Sequence, residues 1–189
     1  MIIGVTGVFG SGKTTVSNMF LNHCYLIINA DEVGHRLLNR EDIKKSVVKQ
    51  FGEGILTDGL VDRSKLKEIV FHNSEKLKEL NKMHPEIIKE IKRMIKESGE
   101  DKVVVDGALL IEAKGLSLVD KLIVVKIDRH EQIRRALKKG KYNREEIENI
   151  IKSQLSQEEK LKYADYVVDN SGDLVNTEKQ VEKIIEELK

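Results

Sequence analysis

The sequence predicts an α/β fold in three layers, with a five-stranded parallel sheet between two layers of helices. Short apolar runs rich in β-branched residues alternate along the chain with amphipathic stretches of helical spacing, which is the order of a parallel sheet. The first run leads into a glycine-rich loop, Gly7 to Thr14, that matches G-x-x-x-x-G-K-[ST] at every fixed position. Apolar residues at helical spacing follow the loop. Strand, loop and helix in this order are typical of the P-loop NTPase fold.

The glycine-rich loop predicts a binding site for the phosphates of ATP. Glycines allow successive backbone N–H groups to converge on phosphate oxygens, and the amino end of the next helix adds a positive field. We expect Lys13 to reach the β- and γ-phosphates and Thr14 to place its hydroxyl on Mg²⁺. The structural alternative is a glycine-rich turn with an exposed lysine. From the Gly, Lys, Ser and Thr frequencies of this chain, the pattern would arise by chance in roughly one such sequence per hundred. The predicted ATP-binding residues here are Gly7, Val8, Phe9, Gly10, Ser11, Gly12, Lys13, Thr14 and Thr15.

Composition limits the partners that this chain can have. The 189 residues carry a formal net charge of +1, so no overall basic field favours nucleic acid. The single cysteine, Cys24, excludes a disulfide within the chain, and its place in an apolar pattern predicts a core position. The amino end lacks a basic signal region, and no apolar run approaches the roughly 18 residues of a membrane span. We therefore expect a soluble cytoplasmic protein without a nucleic-acid or membrane partner.

A second strand, residues 25–28, is predicted to be fully buried and to run into Asp31. Because ligands of open α/β sheets bind at the carboxyl ends of the strands, Asp31 would lie beside the phosphate-binding loop. It is a candidate general base or metal partner. The structural alternative is that Asp31 caps a helix beginning at Glu32.

Residues 33–98 are predicted to be mainly helical. Roughly 65 residues between the second and third strands exceed what a crossover needs, which suggests a substrate-binding insertion. Pro85 predicts a helix break near His84 and a new helix from the proline. The arginines of this segment, including Arg36, Arg40 and Arg63, are individually more typical of solvated surface than of a ligand site.

The remaining strands are predicted at residues 102–106, 122–127 and 166–168. The first of these ends in Asp106 and resembles a Walker B element, which makes Asp106 a candidate metal ligand, directly or through water. Four apolar residues followed by an aspartate are also common at the ends of ordinary strands. Both interpretations of Asp106 therefore stay open.

Residues 132–162 are predicted to form a helical hairpin that acts as a lid. Asn143 with Glu146 and Ser156 with Glu159 have the spacing of capping boxes, and Gly140 marks a mobile joint. A cation-rich lid excludes water and brings positive charge to a transferring phosphoryl group. A solvated pair of charged helices is the alternative. The candidate cations are Lys138, Lys139, Lys141 and Arg144, with Arg134 and Arg135 one helical turn earlier.

Taken together, these stretches resemble the dephospho-coenzyme A kinase family, a small group of P-loop kinases. The resemblance runs nearly from end to end. It includes the loop T-G-V-F-G-S-G-K-T-T and the segments N-A-D-E-V-G-H-R-L-L, V-D-R-S-K-L, M-H-P-E-I, D-G-A-L-L-I-E and Q-L-S-Q-E-E-K-L-K-Y-A-D-Y-V-V-D-N-S-G. The loop indicates only the nucleotide-binding class, whereas the H-P pair, L-L-I-E and the final segment are specific to this family.

The resemblance implies ATP-dependent phosphorylation of the 3′-hydroxyl of dephospho-coenzyme A, the last step of coenzyme A biosynthesis, with Mg²⁺ as cofactor. It places Asp31 at the substrate hydroxyl and Asn170 and Gly172 in the nucleotide-base loop. It also implies a single kinase domain over 1–189, with a core of about 1–32, 99–131 and 163–189, an acceptor-binding insertion of about 33–98 and a lid of about 132–162. The acceptor-binding residues that it implies are His35, Arg36, Arg63 and His84.

The chain departs from the family pattern at several positions. Asn29 replaces the first acid of the family's D-A-D, and His35, followed by Arg36, stands where many members have an arginine. In the lid, Lys138, Lys139 and Gly140 stand where an arginine–aspartate pair is usual, and Ile150 occupies a common arginine position. These changes leave the expected reaction class intact, but the catalytic cation of the lid stays open.

Other functions fit the sequence less well. A nucleoside monophosphate kinase would share the loop, sheet and lid, so it remains the alternative. A GTPase switch would need a guanine-reading N-K-x-D motif, and the sequence contains none. A non-catalytic ATP sensor would need a missing base or lid, and both are predicted.

Overall fold

A five-stranded parallel sheet forms the centre of the computed structural model, which describes residues 1–71 and 73–188. Within these residues the strands are β1 (Ile2–Gly7), β2 (Leu26–Asn29), β3 (Leu56–Thr57), β4 (Leu60–Val61), β5 (Val103–Asp106), β6 (Lys121–Lys126) and β7 (Tyr166–Asp169). The central sheet has the order β2-β5-β1-β6-β7, and its neighbouring strands pair in parallel. The predicted α/β class and parallel sheet are confirmed.

Helices cover both faces of this sheet. They are α1 (Lys13–Met19), α2 (Ala30–Leu38), α3 (Glu41–Phe51), α4 (Arg63–Phe71), α5 (Ser74–Asn81), α6 (His84–Ser98), α7 (Arg129–Lys138), α8 (Arg144–Lys152), α9 (Gln157–Leu161) and α10 (Leu174–Glu187). Strand β5 shows how the layers meet: Val103 and Val105 pack with Val33 of α2, whereas Val104 packs with Val16 of α1 on the opposite face. Burial on both faces explains why the strand is apolar throughout.

Strand β2 differs from its prediction in position and burial. It covers Leu26–Asn29 and forms an edge of the sheet, where it pairs only with β5 among the described strands. Leu26 and Ile27 pack against opposite clusters, which accounts for the missing alternation, yet both are only partly buried. The prediction of a fully buried strand was wrong because one side of an edge strand has no neighbour to cover it.

The segment 33–98 is mainly helical, as predicted, and carries α2 to α6. Helix α5 ends at Asn81 and α6 begins at His84 with Pro85 in its first turn, so the predicted break is confirmed. A short hairpin of β3 and β4 was not predicted. Asp58 and Gly59 form its turn with φ values of 51° and 76°. An Asp-Gly pair between apolar residues is a hairpin signal, so the sequence did contain this information.

The segment 132–162 contains the predicted helices. Both capping boxes, at Asn143 and at Ser156, are present, and Gly140 has a φ of 66° in the turn between α7 and α8. Helix α7 begins at Arg129, three residues before the predicted start, because the Asp128 side chain accepts hydrogen bonds from the first backbone N–H groups. Helix α7 thus begins shortly after β6 ends.

Cys24 is exposed, so the predicted core position was wrong. Helix α1 ends at Met19, and a short 3₁₀ turn carries the chain to Cys24, whose φ is 60°. The left-handed conformation ends the helical periodicity on which the prediction rested. Within residues 1–71 and 73–188, no helix is both long enough and apolar enough to cross a membrane.

Candidate active site

The phosphate-binding loop connects β1 to α1 and takes the shape that its glycines allow. Gly10 and Gly12 have φ values of 79° and 88°, in the left-handed region that favours glycine. A Cβ atom on Gly12 would also lie 2.1 Å from Nδ2 of Asn170, so this position excludes any side chain. The Ser11 hydroxyl is buried, and it lacks a hydrogen-bond partner within the described part of the chain. A buried donor of this kind fits a loop that binds phosphate oxygens by donating hydrogen bonds to them.

Lys13 is the cation of the loop. Its Nζ donates a hydrogen bond to the carbonyl oxygen of Val8 at 3.2 Å, which places the ammonium above the loop. Burial lowers the pKa of Lys13 below its usual value, and the carboxylates of Asp106 and Asp31 oppose that shift. Both predicted acids therefore lie close enough to act on this ammonium.

Asp106 and Thr14 bring two potential oxygen ligands of a metal ion together at the end of the loop. Asp106 ends β5, is 3% exposed, and accepts a hydrogen bond from the Thr14 hydroxyl at 3.0 Å. Burial raises the pKa of Asp106, Asp31 and Glu32 raise it further, and Lys13 and Thr14 oppose the shift. Within the residues described, no group of three or more His, Cys, Asp or Glu side chains could hold a metal ion. The donor set fits Mg²⁺, which commonly takes one or two protein oxygens and completes its shell with water and phosphate.

Asp31 lies in the first turn of α2 with its side chain exposed. The cap of this helix is Asn29, whose side-chain oxygen accepts a hydrogen bond from the backbone N–H of Glu32 at 3.1 Å. The capping role that the sequence offered to Asp31 is therefore taken by Asn29, the residue that replaces the family's first acid. Asn29 is also paired in register with Asp106. The carboxylate of Asp31 is left to face the cavity beside the loop.

A first cavity, with a volume of about 280 Å³, lies between Asp31 and the helical insertion. His35, Arg63 and His84 line it with Asp31, as does Lys67 of α4, which sequence analysis missed. The Nε2 atom of His35 is buried and lacks a hydrogen-bond partner within residues 1–71 and 73–188. Burial lowers the pKa of His84, and Glu112 opposes this. The apolar side chains that line this cavity include Leu38, Leu66, Leu77, Leu80 and Ile87.

Arg36 lies elsewhere. It is exposed, and its Nη2 atom lies 3.6 Å from Sδ of Met94 on α6. Residues 35 and 36 of a helix differ by about 100° in direction, and here His35 is among the residues that line the cavity whereas Arg36 is not. His35 faces the cavity and Arg36 faces α6.

A second cavity of about 500 Å³ lies on the other side of the loop, against Gly10, Gly12 and Thr15. Asn170 and Gly172, which the resemblance places in the nucleotide-base loop, are among the residues that line it. The Asn170 side chain is 5% exposed; Nδ2 donates to the Ser11 carbonyl at 2.7 Å, and Oδ1 accepts from the Thr177 hydroxyl at 2.9 Å. Asn170 thus joins the phosphate-binding loop, through Nδ2, to α10, through Oδ1.

The candidate lid cations differ in position. Lys139, Lys141 and Arg135 line the second cavity, and the charge of Lys139 contributes to the lowered pKa of Lys13. Lys138 and Arg144 are exposed and lie outside the residues that line the two cavities. Glu131 pairs with Arg134 at 2.7 Å and with Arg135 at 2.5 Å, and these guanidinium groups lower the pKa of Glu131 to about 2.

A buried ion pair beside the first cavity was also missed. Lys160 is fully buried, and its Nζ lies 2.7 and 2.9 Å from the two carboxylate oxygens of Glu112 and 2.8 Å from the carbonyl oxygen of Ala108. Glu112 falls in L-L-I-E, which sequence analysis used only as a family marker, and Lys160 falls in Q-E-E-K, within the predicted lid of residues 132–162. A lysine in a polar helical segment is ordinarily exposed, so no local pattern indicated this contact.

Comparisons with known proteins agree with this geometry. A family model described as dephospho-CoA kinase matches residues 1–176. The dephospho-CoA kinase of Carboxydothermus hydrogenoformans is 43% identical, and the alignment covers 100% of this chain and 94% of that protein. The dephospho-CoA kinase of Fusobacterium nucleatum is 41% identical, with coverages of 98% and 97%. A solved dephospho-CoA kinase from Campylobacter jejuni has a TM-score of 0.71 at 27% identity and covers 99% of this chain, which covers 96% of it. The chain therefore belongs to the dephospho-CoA kinase family and is a transferase with the P-loop kinase fold.

Proposed function

We propose that this chain transfers the γ-phosphoryl group of ATP to the 3′-hydroxyl of dephospho-coenzyme A, giving coenzyme A and ADP. Family membership supports this reaction over the nucleoside monophosphate kinase alternative. The observation that carries the proposal is the position of Asp31. Its exposed carboxylate acts on Lys13 from one side and lines the first cavity on the other.

In this proposal the phosphate-binding loop holds the ATP phosphates and the second cavity takes the rest of the nucleotide. Lys13 reaches the β- and γ-phosphates, and Gly172 borders the base. Mg²⁺ would be held by Thr14, with Asp106 acting directly or through water, and would neutralise charge on the phosphates. Because phosphoryl transfer is catalysed mainly by positioning and electrostatics, the protein needs few groups that react covalently.

The first cavity is the proposed acceptor site, formed largely by the insertion of about 33–98. Asp31 orients the ribose hydroxyl and takes its proton. Arg63, with His35 and His84, binds the rest of the acceptor, and the unpartnered Nε2 of His35 is free to bond a ligand group. Arg36, also implied by the resemblance, would need to leave Met94 to join them.

The lid of about 132–162 would close over the transferring group, and we place the chain in the cytoplasm as one kinase domain. Lys139 is the best placed of the predicted lid cations, since it lines the nucleotide cavity and its charge reaches Lys13. Lys138 and Arg144 would need a lid movement to reach the phosphates.

The test compares acceptors and then removes the proposed base. ADP release should be fast with dephospho-coenzyme A and near background with nucleoside monophosphates. Asp31→Asn keeps the size of the side chain but removes its charge, so kcat should fall roughly 10²- to 10⁴-fold with little change in the KM for ATP. Glu32→Gln is the matched control, because this neighbouring acid is also exposed and lies outside the residues that line the cavity.

Two outcomes would contradict the proposal. Faster turnover with a nucleoside monophosphate would assign the chain a different acceptor. If Asp31→Asn raised only the KM for ATP, Asp31 would belong to the nucleotide or metal site, and Asp106 would become the better candidate for the base.

A further inference from the structure

Tyr142 lies at the tip of the lid, in the turn between α7 and α8, and is half-buried. Its ring meets the ring of Phe9 edge to face, with centroids 5.7 Å apart and an interplanar angle of 81°. Phe9 belongs to the phosphate-binding loop, so the lid tip is in contact with that loop. Tyr142 also lines the nucleotide cavity.

The hydroxyl of Tyr142 reaches the opposite side, toward the insertion. It accepts a hydrogen bond from Nζ of Lys67 at 2.8 Å. Lys67 lies on α4, one helical turn after Arg63, and both line the acceptor cavity with Asp31. One side chain therefore contacts the phosphate-binding loop and a cation of the acceptor cavity at the same time.

The Phe9 end of this connection is held firmly. The backbone N–H of Phe9 donates to the side-chain oxygen of Gln154 at 2.8 Å, and the carbonyl of Phe9 accepts from Nε2 of Gln132 at 2.5 Å. Gln132 lies near the start of α7 and Gln154 just after α8, so side chains from both sides of the turn that carries Tyr142 bind the backbone of Phe9. The position of the Tyr142 ring is thereby tied to the phosphate-binding loop.

We propose that Tyr142 is a positioning residue that holds the Lys67 ammonium at the acceptor cavity. A lysine has a flexible stem, and fixing it costs side-chain entropy that Tyr142 offsets before the acceptor arrives. A carboxylate partner would neutralise the ammonium, whereas a phenol orients it and leaves its charge. The hydrogen bond to the phenol uses one of the three N–H donors of the ammonium. The remaining donors can bond anionic oxygens, such as those of the acceptor's pyrophosphate. This inference rests on the proposed function only for the identity of the acceptor.

The test uses Tyr142→Phe, which removes the hydroxyl and keeps the ring on Phe9. The KM for dephospho-coenzyme A should rise about 5- to 10-fold, while kcat and the KM for ATP stay within about twofold, as expected when ground-state binding of one substrate is lost. Tyr163→Phe makes the same chemical change on a side chain that is 52% exposed, and it should change none of these values.

A second variant gives the inference an independent check. Lys67→Met should raise the acceptor KM at least as much as Tyr142→Phe, and the double variant should raise it no further than Lys67→Met alone, because the hydroxyl acts only through the ammonium. Three results would each overturn the inference. The effects of the two substitutions on the acceptor KM could multiply in the double variant, the acceptor KM could be unchanged in Tyr142→Phe, or the KM for ATP could rise in Tyr142→Phe. Wild-type activity on dephospho-coenzyme A is read separately, so a failure of the proposed function would be visible without the variants.

Discussion

We expect Lys160→Met to destabilise this protein strongly, because it removes the ammonium that neutralises a largely buried carboxylate. The Lys160 side chain is 0% exposed and that of Glu112 is 17% exposed. Burial lowers the pKa of Lys160, and Glu112 opposes the shift, so the pair is held in a poorly solvated position. Methionine fills similar space, which separates the loss of charge from the loss of volume.

The expected size follows from the surroundings of Glu112. Breaking a buried ion pair by removing one partner typically costs about 3–5 kcal/mol. Glu112 is partly exposed and also accepts a hydrogen bond from the backbone N–H of Leu155 at 3.0 Å, so the lower end applies, about 3 kcal/mol. For a chain of 189 residues, this loss corresponds to a fall in Tm of about 6–12 °C.

The assay is urea and thermal unfolding of matched variants. Lys160→Met with Glu112→Gln should be more stable than Lys160→Met alone, because the amide removes the unpaired charge and can still accept from Leu155. Lys121→Met is the control: Lys121 pairs with Asp165 at 3.1 Å, with side chains 44% and 39% exposed, so its loss should cost less than about 1 kcal/mol. A Lys160→Met protein as stable as the Lys121→Met control would refute the reasoning, as would a double variant less stable than Lys160→Met.

Two further predictions concern the phosphate site. Asp106→Asn should keep or raise Tm, because the raised pKa of Asp106 means that its charge opposes folding at neutral pH. The same substitution should lower kcat at least about tenfold. As the pH falls from neutral toward about 3.9, the usual pKa of an aspartate, this carboxyl is protonated and the wild type should regain stability relative to the variant. Stability curves of the two proteins that stay parallel over this pH range would contradict the prediction. In the lid, Lys139→Gln should slow single-turnover transfer at least about tenfold, whereas Lys138→Gln should stay within about threefold, or roughly 0.65 kcal/mol. Equal effects of the two lid substitutions would mean that their positions relative to the cavity do not decide the catalytic charge.

The sequence by itself determined the features that arise from neighbouring residues. Three such features are the phosphate-binding loop, the break before Pro85 and the capping boxes at Asn143 and Ser156. Each depends on contacts within a few residues, so its pattern can be recognised in the sequence. The parallel sheet was also predictable, since apolar runs alternate with helices. Asp31 could be placed near the loop because carboxyl ends of parallel strands meet at one edge.

Only the tertiary structure decided which residues from distant segments meet. The place of β2 at an edge of the sheet follows from its pairing with β5 alone among the described strands. The contact of Lys67 with Tyr142 spans 75 positions and that of Lys160 with Glu112 spans 48. Lysines in polar segments look alike in sequence whether they are solvated or paired, because the partner that determines their burial lies elsewhere in the chain.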